Sequence, residues 1–454
     1  MLKQDEFSYR RGVLACEKAN LSGIAEIHGT PAYIYSRRAI VSRFREYEDA
    51  LAGLPHHICF SVKANSNLAV LRALASEGAW FDIVSGGELY RVLSAGSPAG
   101  CVVFSGVGKT EAEIRFALEQ GIHSFNCESE AEIETISRIA SSLGRDASIA
   151  IRVNPDVDPA THPYISTGLR EHKFGIDIAC AEAVYHRASQ LPGVVPEGVS
   201  CHIGSQILDA GPLLETAEKA IALIERLCAR GLRMRYLDLG GGLGVPYRPA
   251  QSAASIPAFI QGLREKLSGL DLALMLEPGR SIVAEAGVLL TRVLLVKQNG
   301  GKTFVIVDAA MNDLIRPALY RAHHEIIPVK EPAGGELMEA DIAGPICETG
   351  DFFARHRQMP HVTAGDLLAI CTAGAYGFVS ASNYNSRPRP CEVLVEEARV
   401  LLVRKRETYE DLIRGESLDR DPGAKQRFDP SNPNIVHTDL EDDRLTCHFR
   451  PGSA

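Results

Sequence analysis

Lys63 stands where the apolar run HICFSVK (His57–Lys63) gives way to the polar SVKANSN. Taken alone, such a residue reads best as an exposed strand-end lysine. The alternative is an amine tuned by burial and neighbours into a nucleophile suited to a Schiff base. Three more segments offer a similar choice. His202 opens HIGSQ and is either a satisfied core histidine or a flat ring that stacks on a planar cofactor, with Ser205 offering a hydroxyl to a phosphate. The run YLDLGGGLG carries Gly240, Gly241, Gly242 and Gly244, which let a backbone approach a phosphate and present N–H groups to it. Their spacing does not match the first, third and sixth positions of a dinucleotide fingerprint, and Pro246 stands where the helix of that motif should open. Finally, LALMLEPGR places Glu277 at the end of an apolar run. A carboxylate there needs a partner, either Arg280 or a pyridinium nitrogen, whose protonation makes the ring a stronger electron sink. Each signal is weak alone. Lysine, stacking histidine, glycine loop and buried glutamate together make a complete site for pyridoxal phosphate.

Such a site needs a scaffold that brings distant strand ends to one rim. Between residues 57 and 280, short apolar runs alternate with helical patterns. The strand-like runs are His57–Lys63, Phe81–Ser85, Cys101–Gly106, Ser124–Ser129, Ser148–Val153, Gly198–Ser205, Tyr236–Gly242 and Leu272–Arg280. Amphipathic stretches such as KTEAEIRFALEQG separate them, and RRAIVSRFREYEDALAG precedes the first. This pattern predicts a (β/α)8 barrel, with its chemistry at the C-terminal ends of the strands. An open doubly wound sheet is the rival reading. After Ser281 the runs are strand-like with little helix between them, which predicts an antiparallel β domain, joined by Ala32–Ser36. The expected division is an N-terminal segment 1–36, a barrel 37–283, a β domain 284–413 and a polar, poorly ordered tail 414–454.

Composition narrows the function. A net charge of −9 and a pI of about 5.9 argue against nucleic-acid or anionic-membrane partners, and no apolar run approaches a membrane span. The N-terminus lacks an apolar signal core. The 11 cysteines form no CxxC pair, so neither a metal site nor a disulfide framework is expected, and reduced thiols in a cytoplasm are.

The segments SVKANSN, HPYISTGLREHKFG (His162–Gly175), HIGSQ, LDLGGGLG, EPGR, MNDLIRPALY, GPICETGD and GAYGF follow in order along the chain. On these motifs, residues from about 30 to 413 resemble the fold-type III pyridoxal-phosphate decarboxylases, and within them the branch that acts on diaminopimelate. The resemblance implies that Lys63 carries the cofactor, His202 stacks on its ring and Glu277 keeps the ring nitrogen protonated. It implies phosphate contacts from Ser205, Gly241, Gly242 and the Glu277–Pro278–Gly279–Arg280 backbone. It also places Arg152 near the phenolic oxygen and Tyr376 against cofactor and substrate. Diaminopimelate has a second amino-acid centre, so a guanidinium is wanted for its far carboxylate. Arg280, Arg316 and Tyr320 are the candidates, with Glu348 for the distal ammonium. Cys347 is implied as a proton donor supplied across a homodimer interface; CETGD carries Thr349 where many relatives have Ser. The expected reaction is decarboxylation of meso-2,6-diaminopimelate at its D centre to L-lysine and CO2. Decarboxylases of ornithine, arginine or carboxynorspermidine are the rival reading, and a non-catalytic carrier is disfavoured by the presence of both Lys63 and Cys347.

Overall fold

The computed structural model describes residues 6–158 and 173–417. Most of HPYISTGLREHKFG, and the expected tail from residue 418 onward, lie outside the described residues.

Eight parallel strands close into a barrel: His56–Ser61, Trp80–Ile83, Val102–Phe104, Ser124–Cys127, Ala147–Asn154, Val194–Ser200, Tyr236–Asp238 and Ala273–Leu276. The eighth pairs with the first through Leu274–Leu276 and His56–Ile58, and the fourth pairs with the fifth, so no strand is left at an edge and the doubly wound rival is excluded. The strands read as apolar runs because they are buried both towards the barrel axis and under the surrounding helices.

The helices have local reasons to start and stop. Arg37–Leu51 begins where Ser36 Oγ accepts from Ala39 N–H, and it turns Ile40, Phe44, Tyr47 and Leu51 inward at helical spacing. Glu111–Gln120 opens on a reciprocal cap between Thr110 and Glu113 and ends at Gly121, whose φ of 74° suits the left-handed turn. The first of these helices precedes the first strand, yet it packs against Ile256–Leu267 and Leu68–Ala75. It thereby fills the outer-ring position after the eighth strand, where the chain itself forms only the four-residue helix Arg280–Val283 before leaving the barrel.

The exit strand, Gly287–Asn299, is the spine of the second sheet. Ala32–Ser36, buried throughout, pairs with it, so that stretch joins the sheet as the sequence predicts, whereas the strands between Phe7 and Asn20 form a three-stranded sheet of their own. Two further features differ from expectation. The sheet is not wholly antiparallel, because Cys391–Glu396 runs parallel to Ala32–Ser36 and Lys302–Val307 runs parallel to Leu337–Ala343. In addition, Phe352–Pro360 (FFARHRQMP) and Ile326–Pro328 are strands that periodicity did not mark. The former buries Phe353, Ala354 and Met359 but exposes its charged middle, so its apolar residues do not alternate.

Candidate active site

The C-terminal rim of the barrel is stitched by polar side chains from successive strand ends. Ser61 ends the first strand; its N–H donates to Pro278 O at 3.1 Å and its Oγ lies 3.0 Å from Glu277 O, which joins the first and eighth strand ends. Lys63 is not on the strand, as the sequence reading had it, but in the single turn Val62–Ala64 that follows. Its Nζ donates to Asp82 Oδ2 at 2.8 Å, and the same oxygen accepts from Ser61 Oγ at 2.8 Å. Barrel walls surround the lysine, yet 35% of its side chain faces open space along one side. Burial alone would lower its pKa; the carboxylates of Asp82 and then Glu277 outweigh that and raise it, so the amine is held as an ammonium.

Glu277 is enclosed on the axis side. Its Oε1 accepts from Ser105 Oγ and Asn126 Nδ2, both at 3.2 Å, and Asn126 Nδ2 also lies 2.7 Å from Asp238 Oδ2. Burial, then Asp238 and Asp82, raise the Glu277 pKa well above the carboxylate range, and burial raises that of Asp238 as well. Each of these buried carboxylates makes ionisation of the other harder. Arg280 is not the partner of Glu277: its guanidinium donates instead to Tyr247 Oη at 2.8 Å and Ser205 Oγ at 3.0 Å. The simple ion-pair reading of this motif is thereby excluded. A cationic ring nitrogen is the kind of group that this acidic cluster is built to receive.

Opposite lies a cradle of backbone. A Cβ on Gly241 would meet Glu277 O at 2.2 Å; on Gly242, whose φ is 114°, it would meet Gly204 O at 2.7 Å. The glycine loop therefore sits directly on the His202–Gln206 and Glu277–Arg280 segments, with Ser205 Oγ and the Arg280 guanidinium beside it, a fitting set for a phosphate. His202 is held neutral, since burial and then the cations Arg152 and Lys63 lower its pKa well below the ordinary value. A neutral flat ring is what stacking on a pyridine requires. Arg152 is buried, donates to Glu128 Oε1 at 2.8 Å and keeps an Nε that finds no hydrogen-bond partner among the described residues. These residues fit pyridoxal phosphate in each of its parts: aldehyde, ring and phosphate.

Lys63, His202, Ser205, Arg280 and Tyr376 face one cavity of about 460 Å³, which Tyr247, Arg316 and Tyr320 also line. Tyr376 adopts φ 55°, and its N–H donates to Ala64 O at 2.8 Å, so the second sheet is pinned onto the lysine turn. The Arg280 and Arg316 guanidinium groups both lie against the Tyr247 ring, 5.8 and 4.4 Å from its centroid. Both arginines are buried, so two cations share a poorly solvated corner beside the lysine. Cys347 and Glu348 do not line this cavity; both are exposed, Cys347 N–H donating to Asn385 Oδ1 at 3.0 Å and Glu348 Oε2 accepting from Tyr384 Oη at 2.8 Å.

Asp82, Ser105, Asn126, Asp238, Tyr247 and His324 belong to the site and were not singled out from sequence. Four of them had a readable signal: a polar residue flanked by apolar ones near the end of a barrel strand, as in FDIVS, CVVFSG, SFNCES and YLDLGGG. Tyr247 and His324 had none.

Residues 37–284 match the family model described as the pyridoxal-binding domain of pyridoxal-dependent decarboxylases. The chain is 56% identical to diaminopimelate decarboxylase of Pseudomonas aeruginosa, over 91% of this chain and 99% of that protein. Its fold is similar to that of Helicobacter pylori diaminopimelate decarboxylase complexed with L-lysine, with a TM-score of 0.84 and 44% identity over 87% of this chain and 98% of the other. The M. jannaschii diaminopimelate decarboxylase, also in complex with L-lysine, superposes with a TM-score of 0.87 at 38% identity, covering 92% and 99% of the two chains. This chain belongs to the pyridoxal-dependent decarboxylase family.

Proposed function

We propose that the chain removes the D-centre carboxylate of meso-2,6-diaminopimelate, yielding L-lysine and CO2. The observation that carries this reading is the pair of buried guanidinium groups, Arg280 and Arg316, facing the same cavity as Lys63. A substrate with a distal amine alone would leave the Arg316 cation uncompensated, whereas an amino-acid centre supplies a carboxylate. The names of the relatives and the lysine complexes support the same choice.

Lys63 would hold the cofactor, with Glu277 at its ring nitrogen, His202 on its face and Arg152 near its phenolic oxygen. Ser205, Gly241, Gly242 and the Pro278–Arg280 backbone would take the phosphate. Bound there, pyridoxal phosphate supplies the sink for the electron pair released when the bond between Cα and the carboxylate breaks. Arg316, Arg280 and Tyr320 grip the far carboxylate, so the D centre, with its own carboxylate, is the end presented to Lys63. Tyr376 closes the cavity over both. The carbon that loses CO2 takes a proton from the Cys347 thiol, and Glu348 receives the distal ammonium.

Cys347 and Glu348 lie outside this chain's own cavity, which supports a homodimer in which each subunit completes its partner's site. The described cysteines are all free thiols, which supports a reducing, cytoplasmic setting. Among the described residues no helix is long and apolar enough to cross a membrane.

Two experiments test the reading. Carbon dioxide release should be fastest from meso-diaminopimelate in a panel with ornithine, arginine and lysine; faster release from ornithine or arginine overturns the substrate. Mixing inactive Lys63→Ala and Cys347→Ala subunits should restore part of the activity, because mixed dimers contain one intact site. Proven subunit exchange without recovery rules out sharing.

A further inference from the structure

Behind Arg316 stands a residue that the reaction itself does not use. His324 is 0% exposed and follows the short helix Arg316–Tyr320. Its Nδ1 lies 2.8 Å from the Cys371 carbonyl oxygen and its Nε2 lies 2.8 Å from Arg316 Nη1. A carbonyl can only accept and a guanidinium can only donate, so the assignment is unique: Nδ1 carries the proton and the Nε2 lone pair receives the arginine N–H. The ring is neutral, and its surroundings keep it so; burial, then Arg316, lower its pKa to about 3.

The mounting is rigid. Cys371 N–H donates to Glu325 O at 2.8 Å and Arg357 Nη2 donates to His324 O at 2.9 Å, which fastens the backbone of the histidine and of the residue after it. The imidazole stands edge-on to Tyr247 with ring centroids 5.3 Å apart, and Tyr247 in turn lies under Arg316 and accepts from Arg280. Among the described residues, His324 is the hydrogen-bond partner of Arg316, and no carboxylate pairs with that guanidinium. An acidic partner would orient it but also neutralise it; a neutral acceptor orients it and leaves its charge for something else.

We propose that His324 is a positioning residue for substrate selection. Its Nε2 fixes the rotation of the Arg316 guanidinium, so that the remaining N–H groups are preorganised for the carboxylate at the substrate's far amino-acid centre. The inference rests on the reading that Arg316 grips that carboxylate, and it adds that an uncharged acceptor is required behind it.

The test uses cofactor-loaded protein and two competitors that differ by one carboxylate, L-lysine and cadaverine. Wild type should bind L-lysine more tightly; if it does not, the role given to Arg316 fails before His324 is considered. His324→Leu should weaken L-lysine inhibition and raise the KM for meso-diaminopimelate by about tenfold, the scale of one charge-assisted contact, with kcat and cadaverine inhibition changed by no more than about twofold. His324→Gln, which keeps an acceptor at a similar reach, should recover most of the loss. His324→Glu keeps an acceptor but adds a charge, so it should weaken L-lysine selectively; this arm stands even where the leucine variant does not fold. Equal weakening of L-lysine and cadaverine, unchanged L-lysine binding in the leucine variant, or wild-type L-lysine binding in the glutamate variant overturns the proposal.

Discussion

Replacing Arg316 with methionine separates substrate recognition from folding, and the structure sets the size of both effects. The guanidinium is buried (6% exposed), packed on Tyr247 and bonded to His324, so a carboxylate reaching it meets a desolvated donor. A hydrogen bond to a charged group contributes roughly 1.5–3 kcal/mol, which corresponds to about ten- to 150-fold in kcat/KM. A two-point grip belongs at the upper end of that range. Stability responds differently. Burial, and then the neighbouring Arg280 charge, work against the cation and lower its pKa, although Tyr247 opposes them. Removing it relieves that cost but leaves His324 Nε2 without its donor, a loss of about 1–3 kcal/mol. These contributions offset each other, so Arg316→Met should shift Tm by no more than about 4 °C, roughly the effect of 1 kcal/mol in a domain of this size. The assay is CO2 release from meso-diaminopimelate, read with the cofactor absorbance of each preparation. A kcat/KM within about threefold of wild type, with cofactor retained, would refute the reasoning, because the contact would then lie outside the transition-state complex.

Borohydride reduction of the yellow protein should fix the cofactor to the peptide containing Lys63, and attachment to another lysine overturns the site. Glu277→Gln should retain cofactor yet lose most turnover, since an amide cannot keep a ring nitrogen protonated; near-normal turnover would make the carboxylate structural. At the other end of the barrel Trp80, the single tryptophan, stacks on His57 with ring centroids 3.6 Å apart. Burial, then His123 and His56, lower the His57 pKa from 6.5 to about 4. A lowered histidine pKa means that its contribution to stability is complete above pH 6.5 and is lost as the pH falls towards 4. Tryptophan emission should therefore change with a midpoint near pH 4 and lose that transition in His57→Phe, whereas a midpoint near 6.5 in folded protein contradicts the stacked, desolvated geometry.

The barrel was legible because its two kinds of element carry different periods. Strands buried on both sides are continuous apolar runs, and the helices between them bury one stripe, as in Ile40, Phe44, Tyr47 and Leu51. Once the barrel is inferred, strand-end residues share a rim by necessity, and so Lys63, His202, the glycine loop and Glu277 could be assembled without coordinates. The second sheet was less legible. One of its parallel pairings joins segments hundreds of residues apart, Ala32–Ser36 with Cys391–Glu396, and no local pattern encodes which strand lies beside which. Closure of the barrel alone decided that Asp82, Asn126 and Asp238 meet around Lys63 and Glu277, because each sits between apolar neighbours and its partners sit on other strands. In the corner formed by Arg280, Tyr247, Arg316 and His324 the motifs supplied only the two arginines: the corner is built where the second sheet docks on the barrel, and the phenol and imidazole that hold its cations have no spacing in common. Residue order sufficed for the chemistry at the strand ends, since backbone periodicity places those ends. Which neighbours tune that chemistry depends on side chains meeting across the closed fold, and only the tertiary structure brings them together.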